Sequence, residues 1–381
     1  MKVYLDNSST TRPYDEVTDT VTYYMKEEYG NPSSLHHMGI ETEKALKKAR
    51  RKVADAMSSQ ACETGDIFFT SGGTESDNMA FRCAALSAGR RRGKIVTSVI
   101  EHPAVLETCR RLENLGFEIK YAGADSSGVV RADEMKEAID DDTIMVSLMT
   151  VNNETGAVQP VEEVSEAKGG ALFHTDAVQA FGKMHIPLKN ADMVSLSGHK
   201  IHGPMGTGAQ WIRKGLHLQP MILGGGQENA MRSGTENVPG CAGLGKAAEM
   251  AEDRIEQRTE TMSRVSGYLL EGIKDQIKDI RVNSPEKRCP AILNVSFTGT
   301  RGEVILHMLE QSGIYVSTGS ACSSRKDGKS YVLKAMGLAD DDIGGAIRFS
   351  FSEFNTVEEM DYVLDKLKES VERFRKLGSF R

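Results

Sequence analysis

The sequence has no run of hydrophobic residues long enough to cross a membrane. No window of its 381 residues approaches the roughly 20 consecutive apolar residues that a membrane span requires. The first residues also lack the apolar core of a signal peptide, because Asp6 introduces a charge too early. We therefore expect a cytoplasmic protein that does not contact a membrane.

Cysteines at metal-binding spacing are also missing. None of the six belongs to a CxxC pair or to another zinc-like pattern, so the sequence predicts neither a structural zinc site nor a disulfide framework. In a reducing compartment the default role of each is that of a small buried hydrophobic residue. The six are Cys62, Cys83, Cys109, Cys241, Cys289 and Cys322.

The chain lacks an excess of positive charge. Its 47 Lys and Arg against 54 Asp and Glu give a formal net charge of −7, which argues against a general nucleic-acid-binding protein. The GxxxxGK[ST] spacing of a P-loop is absent as well. The length predicts two or three domains with an ample core.

Short apolar runs alternate with helical segments over the first two-thirds of the chain. This alternation predicts a largely parallel sheet covered by helices on both faces, with ligands beyond the carboxyl ends of the strands. Helices are expected at residues 46–57 and 75–88. The predicted strands are residues 67–70, 94–98, 144–148, 172–174 and 192–196.

The pattern changes after about residue 250. A charged helical stretch at residues 247–278 is predicted to connect to a smaller α+β domain. An amphipathic helix from Val357 to Phe374 ends that domain. Its predicted strands are residues 292–297, 314–317 and 347–351.

Lys200 follows a strand-like run and stands in a glycine-rich turn. A partly desolvated amine loses its proton readily, so Lys200 is suited to carry a covalent carbonyl adduct. The alternative is an ordinary solvated lysine, which is the commoner role of this residue type.

Three other strand ends carry groups that suit a single ligand. The Gly72-Gly73-Thr74 turn precedes a helix whose free N–H groups favour an anion such as a phosphate. Asp176 ends a buried strand and needs a cationic partner, and His102 could stack on a flat ring and carry a proton. Taken singly, each is equally explained as a capping or loop residue. Together with Lys200 they predict pyridoxal 5′-phosphate.

On these residues the sequence resembles the cysteine desulfurases of the NifS/IscS type, in the class V aminotransferase group of fold-type-I pyridoxal-phosphate enzymes. The resemblance covers nearly the whole chain. It implies an α/β fold with a mainly parallel sheet and a smaller α+β C-terminal domain. The matching motifs are LDNSSTT from Leu5, GNPSSLH from Gly30, SGGTES from Ser71, EHPAV from Glu101, VNNETG from Val151, HTDAVQ from His174, SGHKIHGPMGTG from Ser197, GGGQE from Gly224, RSGTEN from Arg232 and STGSACSS from Ser317.

The resemblance also implies domain boundaries and residue roles. Residues 12–252 would form the large cofactor-binding domain, and residues 1–11 with 253–381 the small domain. Lys200 would hold the cofactor covalently and move the substrate α-proton, His102 would stack on the ring, and Arg348 would bind the substrate carboxylate. The remaining cofactor-binding residues would be Gly73, Thr74, Asn152, Asp176, Gln179, Ser197 and His199, with Thr235 contributed by the neighbouring subunit of a homodimer.

Cys322 is the residue that indicates which reaction to expect. It lies in a polar, basic loop at about residues 317–330, where Arg325 and Lys326 favour the thiolate. The resemblance implies that Cys322 takes sulfur from L-cysteine, which leaves L-alanine and a persulfide. The persulfide would pass to an iron–sulfur scaffold protein or a thiolation acceptor. Whether Cys322 also ligates an iron–sulfur cluster transiently stays open, and no other metal site is expected.

Two alternatives are a selenocysteine lyase or another class V enzyme, and a non-catalytic thiol sensor that has kept the fold. The intact set of Lys200, Asp176, His102, Arg348 and Cys322 argues against the sensor. Asp77 and Met205 stand where related sequences often have Asn and Lys, which leaves their effect on cofactor affinity open.

Overall fold

The computed structural model describes residues 1–58, 65–89, 93–185, 189–319 and 329–378. The strands are β1 (Val3–Tyr4), β2 (Gly65–Thr70), β3 (Lys94–Ser98), β4 (Glu118–Ala122), β5 (Thr143–Ser147), β6 (Leu172–Asp176), β7 (Met193–Ser197), β8 (Gly208–Arg213), β9 (Ile280–Val282), β10 (Ile292–Phe297), β11 (Ile314–Tyr315) and β12 (Ala346–Ser350). The helices are α1 (Asp15–Lys26), α2 (His37–Ser58), α3 (Gly73–Ser87), α4 (Pro103–Glu113), α5 (Ala132–Ala138), α6 (Val161–Glu166), α7 (Val238–Asp253), α8 (Ile255–Gln276), α9 (Gly302–Gln311), α10 (Tyr331–Ala335), α11 (Asp340–Gly344) and α12 (Val357–Gly378).

The central sheet has the strand order β2-β8-β7-β6-β5-β3-β4. All neighbours from β7 to β4 are parallel, and β8 alone runs antiparallel to both of its neighbours, β2 and β7. β3 and β7 are buried at every position, because helices cover both faces of the sheet. The predicted α/β architecture with a mainly parallel sheet is confirmed.

The predicted strands of this sheet coincide with the observed ones to within two residues at each end. β6 extends beyond its predicted end as far as Asp176, so that this carboxylate belongs to the strand ladder. α3 begins at Gly73, two residues before the predicted start. The glycine turn therefore leads directly into the first helical turn.

The prediction of one continuous helix at residues 247–278 is wrong. α7 ends at Asp253 and α8 begins at Ile255, with Arg254 between them at φ −121° and ψ 12°. No glycine or proline marks this break, so helical periodicity alone did not reveal it. α7 itself is mostly buried and packs against α1 and α2.

The C-terminal region contains an antiparallel sheet of order β12-β10-β9, and α12 packs against α8 and α9. The start of the chain joins this region. Val3 and Tyr4 of β1 pair in parallel with β11, and Asp6 forms a bridge with Ser350 at the end of β12. These contacts bring residues from both ends of the chain to the edge where β6 and β7 end.

Across the described parts of the chain, no helix has the length and apolar content needed to span a bilayer. Cys83, Cys109, Cys241 and Cys289 are buried free thiols in these parts, whereas Cys62 and Cys322 fall outside them. No cluster of three metal-ligating side chains occurs among the residues that the structure describes.

Candidate active site

A cavity of about 280 Å³ lies at the carboxyl ends of β6 and β7. Side chains from the start of α3, from the chain start and from β12 also line it. The cavity thus brings together residues that are far apart in sequence. Of the predicted site residues it gathers Gly73, Thr74, His102, Asp176, Gln179, Ser197, His199, Lys200 and Arg348.

The amine of Lys200 is held against the start of the chain. Its Nζ donates hydrogen bonds to the carbonyl oxygens of Ser8, at 2.6 Å, and Ser9, at 2.8 Å. Burial, with the nearby cations Lys183 and Arg348, lowers the pKa of Lys200 to about 7. Much of the amine is therefore neutral near pH 7, which is the form that attacks an aldehyde.

Two buried carboxyl groups, Asp176 and Asp77, line the cavity. Asp176 Oδ1 accepts a hydrogen bond from the N–H of Val178 at 2.9 Å, and burial raises the pKa of Asp176 to about 6. Burial and the charge of Asp176 raise the pKa of Asp77 well above its ordinary value. These effects favour the anionic form at Asp176 over Asp77, so Asp176 is the member of the pair suited to bind a protonated ring nitrogen.

His174 lies beside Asp77, with 3.7 Å between its Nε2 and Oδ1 of Asp77. Burial lowers the pKa of His174 to about 3. Its two ring nitrogens contact the hydroxyls of Ser147 and Ser195, each at 2.9 Å. His174 is a neutral member of a buried polar network and does not neutralise Asp77.

His102 caps α4 and faces the same cavity. Its Nδ1 accepts a hydrogen bond from the N–H of Ala104 at 3.2 Å, which leaves the ring proton on Nε2. Burial, followed by the charge of Lys200, lowers the pKa of His102 to about 4. The ring is therefore a neutral, flat surface that can donate one hydrogen bond.

The start of α3 has the properties of a phosphate cradle. A Cβ at Gly73 would lie 2.8 Å from Cγ2 of Val178, so only glycine lets the turn approach the cavity wall this closely. Ser197 Oγ is buried and has no hydrogen-bond partner in the described chain, which suits an anion that would supply acceptors. The free N–H groups of the helix start favour the same charge. The cavity thus offers groups that suit pyridoxal phosphate. They are Lys200, Asp176, the ring of His102 and the turn at Gly73.

The guanidinium of Arg348, on β12, is buried and lines the same cavity. Nη1 donates to the carbonyl oxygen of Asn153 at 2.9 Å, and Nη2 to Asp6 Oδ1 at 3.0 Å and Ser9 Oγ at 2.8 Å. Nε has no partner among the described residues. A buried N–H donor without an acceptor is suited to bind a carboxylate oxygen from a ligand.

Two predicted cofactor-binding residues are not brought to the cavity. Asn152 is buried, but its Oδ1 accepts hydrogen bonds from the N–H groups of Glu154 and Thr155, and its Nδ2 donates to the carbonyl oxygen of Ile100. Asn153, its neighbour, lines the cavity instead. Thr235 is exposed and lies outside the lining.

Cys322 lies outside the described residues, but both flanks of its segment are described. Ser317 exchanges two main-chain hydrogen bonds with Arg348, of 3.1 and 2.7 Å. On the other flank the Ser330 hydroxyl donates to Glu154, a buried residue. The segment therefore begins next to the strand that carries Arg348.

The sequence did not predict that the carbonyl oxygens of Ser8 and Ser9 bind the amine of Lys200, or that Asn153 lines the cavity. These residues belong to the LDNSSTT and VNNETG motifs, which were noticed only as parts of a resemblance. The motifs did not reveal that the chain start folds over the ends of β6 and β7, because that contact is made by tertiary packing.

Comparison with known proteins decides the family. The aminotransferase class-V family model matches residues 3–363. The chain belongs to this family. The cysteine desulfurase IscS of Methanosarcina thermophila is 46% identical over 381 residues, which are 99% of this chain and 93% of the relative. That relationship places the chain among the cysteine desulfurases of the family, which are pyridoxal-phosphate-dependent enzymes.

Solved structures agree with this assignment. A NifS-like protein superposes with a TM-score of 0.90 at 40% identity and covers 98% of this chain and 100% of its own. SspA in complex with cysteine superposes with a TM-score of 0.81 at 32% identity, over 93% of this chain and 100% of that chain. The predicted fold-type-I architecture, enzyme class and cofactor are confirmed.

Proposed function

We propose that this chain transfers the sulfur of L-cysteine to Cys322, which yields L-alanine and an enzyme persulfide. The observation that carries the proposal is the meeting of Lys200, Asp176 and Arg348 in one buried cavity. The curated relatives named cysteine desulfurase support this function over a selenocysteine lyase.

Pyridoxal phosphate, when bound, would supply an aldehyde for amines and a ring that withdraws electrons. We propose that Lys200 holds it covalently and that Asp176 keeps the ring nitrogen protonated. His102 would stack on the ring, while Thr74, Ser197 and His199 would bind the phosphate. Among the described residues, the half-buried amine of Lys200 has no ion-pair partner and the Ser197 hydroxyl has no hydrogen-bond partner, and both observations support these roles.

Arg348 and Lys200 would act on the substrate. The guanidinium of Arg348 would bind the substrate carboxylate and orient the α-carbon. Lys200 would take the proton from that carbon and return a proton later. Its pKa of about 7 suits both directions, because a group that titrates near the working pH both accepts and donates efficiently.

The Cys322 thiolate would attack Sγ of the bound cysteine. A new S–S bond forms and the substrate C–S bond breaks, with its electron pair left on the substrate carbon, which takes a proton to give L-alanine. The anchoring of Ser317 to Arg348 supports this role, because it attaches the Cys322 segment beside the residue proposed to bind substrate.

The Cys322→Ala variant tests this step. We expect it to bind cofactor and L-cysteine normally but to form neither a persulfide nor a stoichiometric amount of L-alanine, as measured by mass spectrometry and amino-acid analysis. Cys83→Ala is the matched control, because Cys83 is buried and burial raises its thiol pKa to about 12. Undiminished alanine release by Cys322→Ala would contradict the proposal.

We further propose a homodimer in which Thr235 reaches the phosphate of the partner subunit. A shallow opening beside Gly73, Thr74 and Ser197 is lined by Met205, whose side chain is 69% exposed, and a second subunit would cover it. Mixing Lys200→Ala with Thr235→Ala subunits should restore one complete cofactor site per mixed dimer. Failure to gain such a site would contradict the shared arrangement.

We also propose the large and small domains with the boundaries predicted above, at residues 12–252 and at 1–11 with 253–381. The pairing of β1 with β11 supports the assignment of the chain start to the small domain.

The sulfur acceptor is proposed to be an iron–sulfur scaffold or a thiolation protein of the cytoplasm. The IscS name of the relatives supports the scaffold.

A further inference from the structure

Lys183 is a buried cation that the proposed mechanism does not use. Its side chain is 3% exposed, and no described carboxylate forms an ion pair with it. Burying an ammonium group without a counter-ion costs stability, so such groups are found where they serve a site. Lys183 lies seven residues after Asp176, in the turn that follows β6.

The only side-chain hydrogen bond of Lys183 in the described chain goes to the active site. Its Nζ donates to Gln179 Oε1 at 2.8 Å. Because an ammonium group only donates, this contact fixes which end of the amide is the oxygen. The NH2 group of Gln179 then faces the cavity side, where it donates to the carbonyl oxygen of Ser8 at 3.0 Å.

Ser8 also accepts a hydrogen bond from Lys200, so Lys183, Gln179, Ser8 and Lys200 form a continuous chain of contacts. The charge of Lys183 contributes to the lowered pKa of Lys200, after burial. Of the other charged groups near Lys200, Arg348 acts in the same direction and Asp6 and Asp176 act against it.

Burial lowers the pKa of Lys183 to about 8, so its amine is still mainly protonated near pH 7. Arg258 and Arg348 are the nearby cations, and Cys289 is a buried thiol. Thr259 donates to the main-chain oxygen of Lys183 and does not involve the ammonium group. A methionine of similar length would fill the same space without the cost of a buried charge.

We propose that Lys183 is a positioning residue of the cofactor site. It turns the N–H donors of Gln179 towards the cavity, and it keeps the amine of Lys200 unprotonated for the cofactor aldehyde. The inference rests on the proposed role of Lys200 as the lysine that holds the cofactor. Cationic Lys183 and a polarised Gln179 amide together suit an anionic oxygen on the bound ring.

The test uses the cofactor-free protein, so that it does not depend on turnover. Trinitrobenzenesulfonate labels neutral amines, and mass spectrometry of the Lys200 peptide gives the pH midpoint of labelling. Lys183→Met should raise this midpoint by about one pH unit, as expected when a neighbouring cation is removed. Labelling of Lys200 at pH 7 should then fall by up to about tenfold.

Three further variants make the result specific. Lys183→Arg keeps the charge and should leave the midpoint near that of the wild type. Lys183→Gln removes the charge but keeps a donor towards Gln179, so it should raise the midpoint even if Lys183→Met does not fold. Lys94→Met removes another buried lysine, which pairs with Asp140 at the opposite end of β3, and should have no effect.

An unchanged midpoint in a folded Lys183→Met or Lys183→Gln protein would overturn the proposal, and so would an equal shift in Lys94→Met. A separate measurement shows whether the proposed role of Lys200 itself is wrong. If Lys200→Ala still acquired the absorption of covalently held pyridoxal phosphate, Lys200 would not be the cofactor lysine, whatever the labelling showed.

Discussion

Arg348 Nη2 and Asp6 Oδ1 lie 3.0 Å apart, although 342 positions separate the two residues in the sequence. The ion pair is almost fully withdrawn from solvent on the arginine side. It joins the chain start to β12 at the wall of the cavity, where Ser9 contacts both Arg348 and Lys200.

Arg348→Lys should weaken substrate binding without loss of the cofactor. Lysine cannot reproduce the forked geometry of the guanidinium, and hydrogen bonds to charged groups contribute about 1.5–3 kcal/mol each. We expect KM for L-cysteine to rise about tenfold or more. Arg288→Lys, a partly buried arginine that donates to Ile292, is the matched control. An unchanged KM would remove Arg348 from the substrate site.

Asp176→Asn and Asp77→Asn should differ sharply. Asp176 is the proposed anionic partner of the ring nitrogen, so its replacement by a neutral amide should lower kcat by about 10²-fold. Burial and the charge of Asp176 favour the protonated form of Asp77, so a neutral amide is the smaller change there and kcat should fall less than tenfold. Steady-state kinetics with saturating cofactor measure both. Equal losses would show that the charge assignment of the pair is wrong.

Gly73→Ala should weaken cofactor binding. The added Cβ would lie 2.8 Å from Val178 Cγ2, and overpacking of this kind typically costs ~1–3 kcal/mol. The Kd for pyridoxal phosphate should rise about tenfold. Gly267→Ala is the control, since no atom lies within 4 Å of the new Cβ and alanine stabilises a helix interior. An unchanged Kd in Gly73→Ala would contradict the close approach required of the cradle.

Glu101→Gln should stabilise the protein increasingly as the pH rises. Burial raises the pKa of Glu101 from its ordinary 4.5 to about 8. The unfolded chain therefore loses this proton at lower pH than the folded protein does. Wild-type stability from this group is complete below pH 4.5 and is lost as the pH rises towards 8, whereas glutamine does not titrate.

Between these limits the advantage of Glu101→Gln should grow by about 1.4 kcal/mol per pH unit. Denaturant unfolding of the cofactor-free protein at pH 5 and pH 7.5 measures it. The same exchange at Glu27, an exposed residue, serves as the control. A difference between Glu101→Gln and wild type that is the same at both pH values would show that Glu101 is not protonated in the folded protein.

Strand ends and helix starts of the central sheet were predictable because burial imposes continuous apolar runs on parallel strands, as in β3 and β7. Asp176, the last residue of β6, and Lys200, which follows β7, were predictable for the same reason. The break at Arg254 was not, because no glycine or proline marks it and both flanking segments have helical periodicity.

The parts of the site that the sequence did not predict come from tertiary contacts. Ser8 and Ser9 meet Lys200 only because β1 pairs with β11 and carries the chain start towards the cavity. The Asn152 side chain accepts hydrogen bonds within its own turn, for example from the N–H of Glu154. A sequence motif does not distinguish this role from ligand binding. The proposed role of Lys183 was not predictable, because it depends on the hydrogen bond from its ammonium group to Gln179.

The pairing of Asp6 with Arg348 has a consequence for biosynthesis. Most residues of the cavity wall precede residue 201, yet the wall is complete only when Arg348 has been translated and β12 has formed. In a ribosome-bound chain that lacks β12, the cavity around the amine of Lys200 is therefore incomplete. We therefore expect stable capture of the cofactor only after β12 has been synthesised.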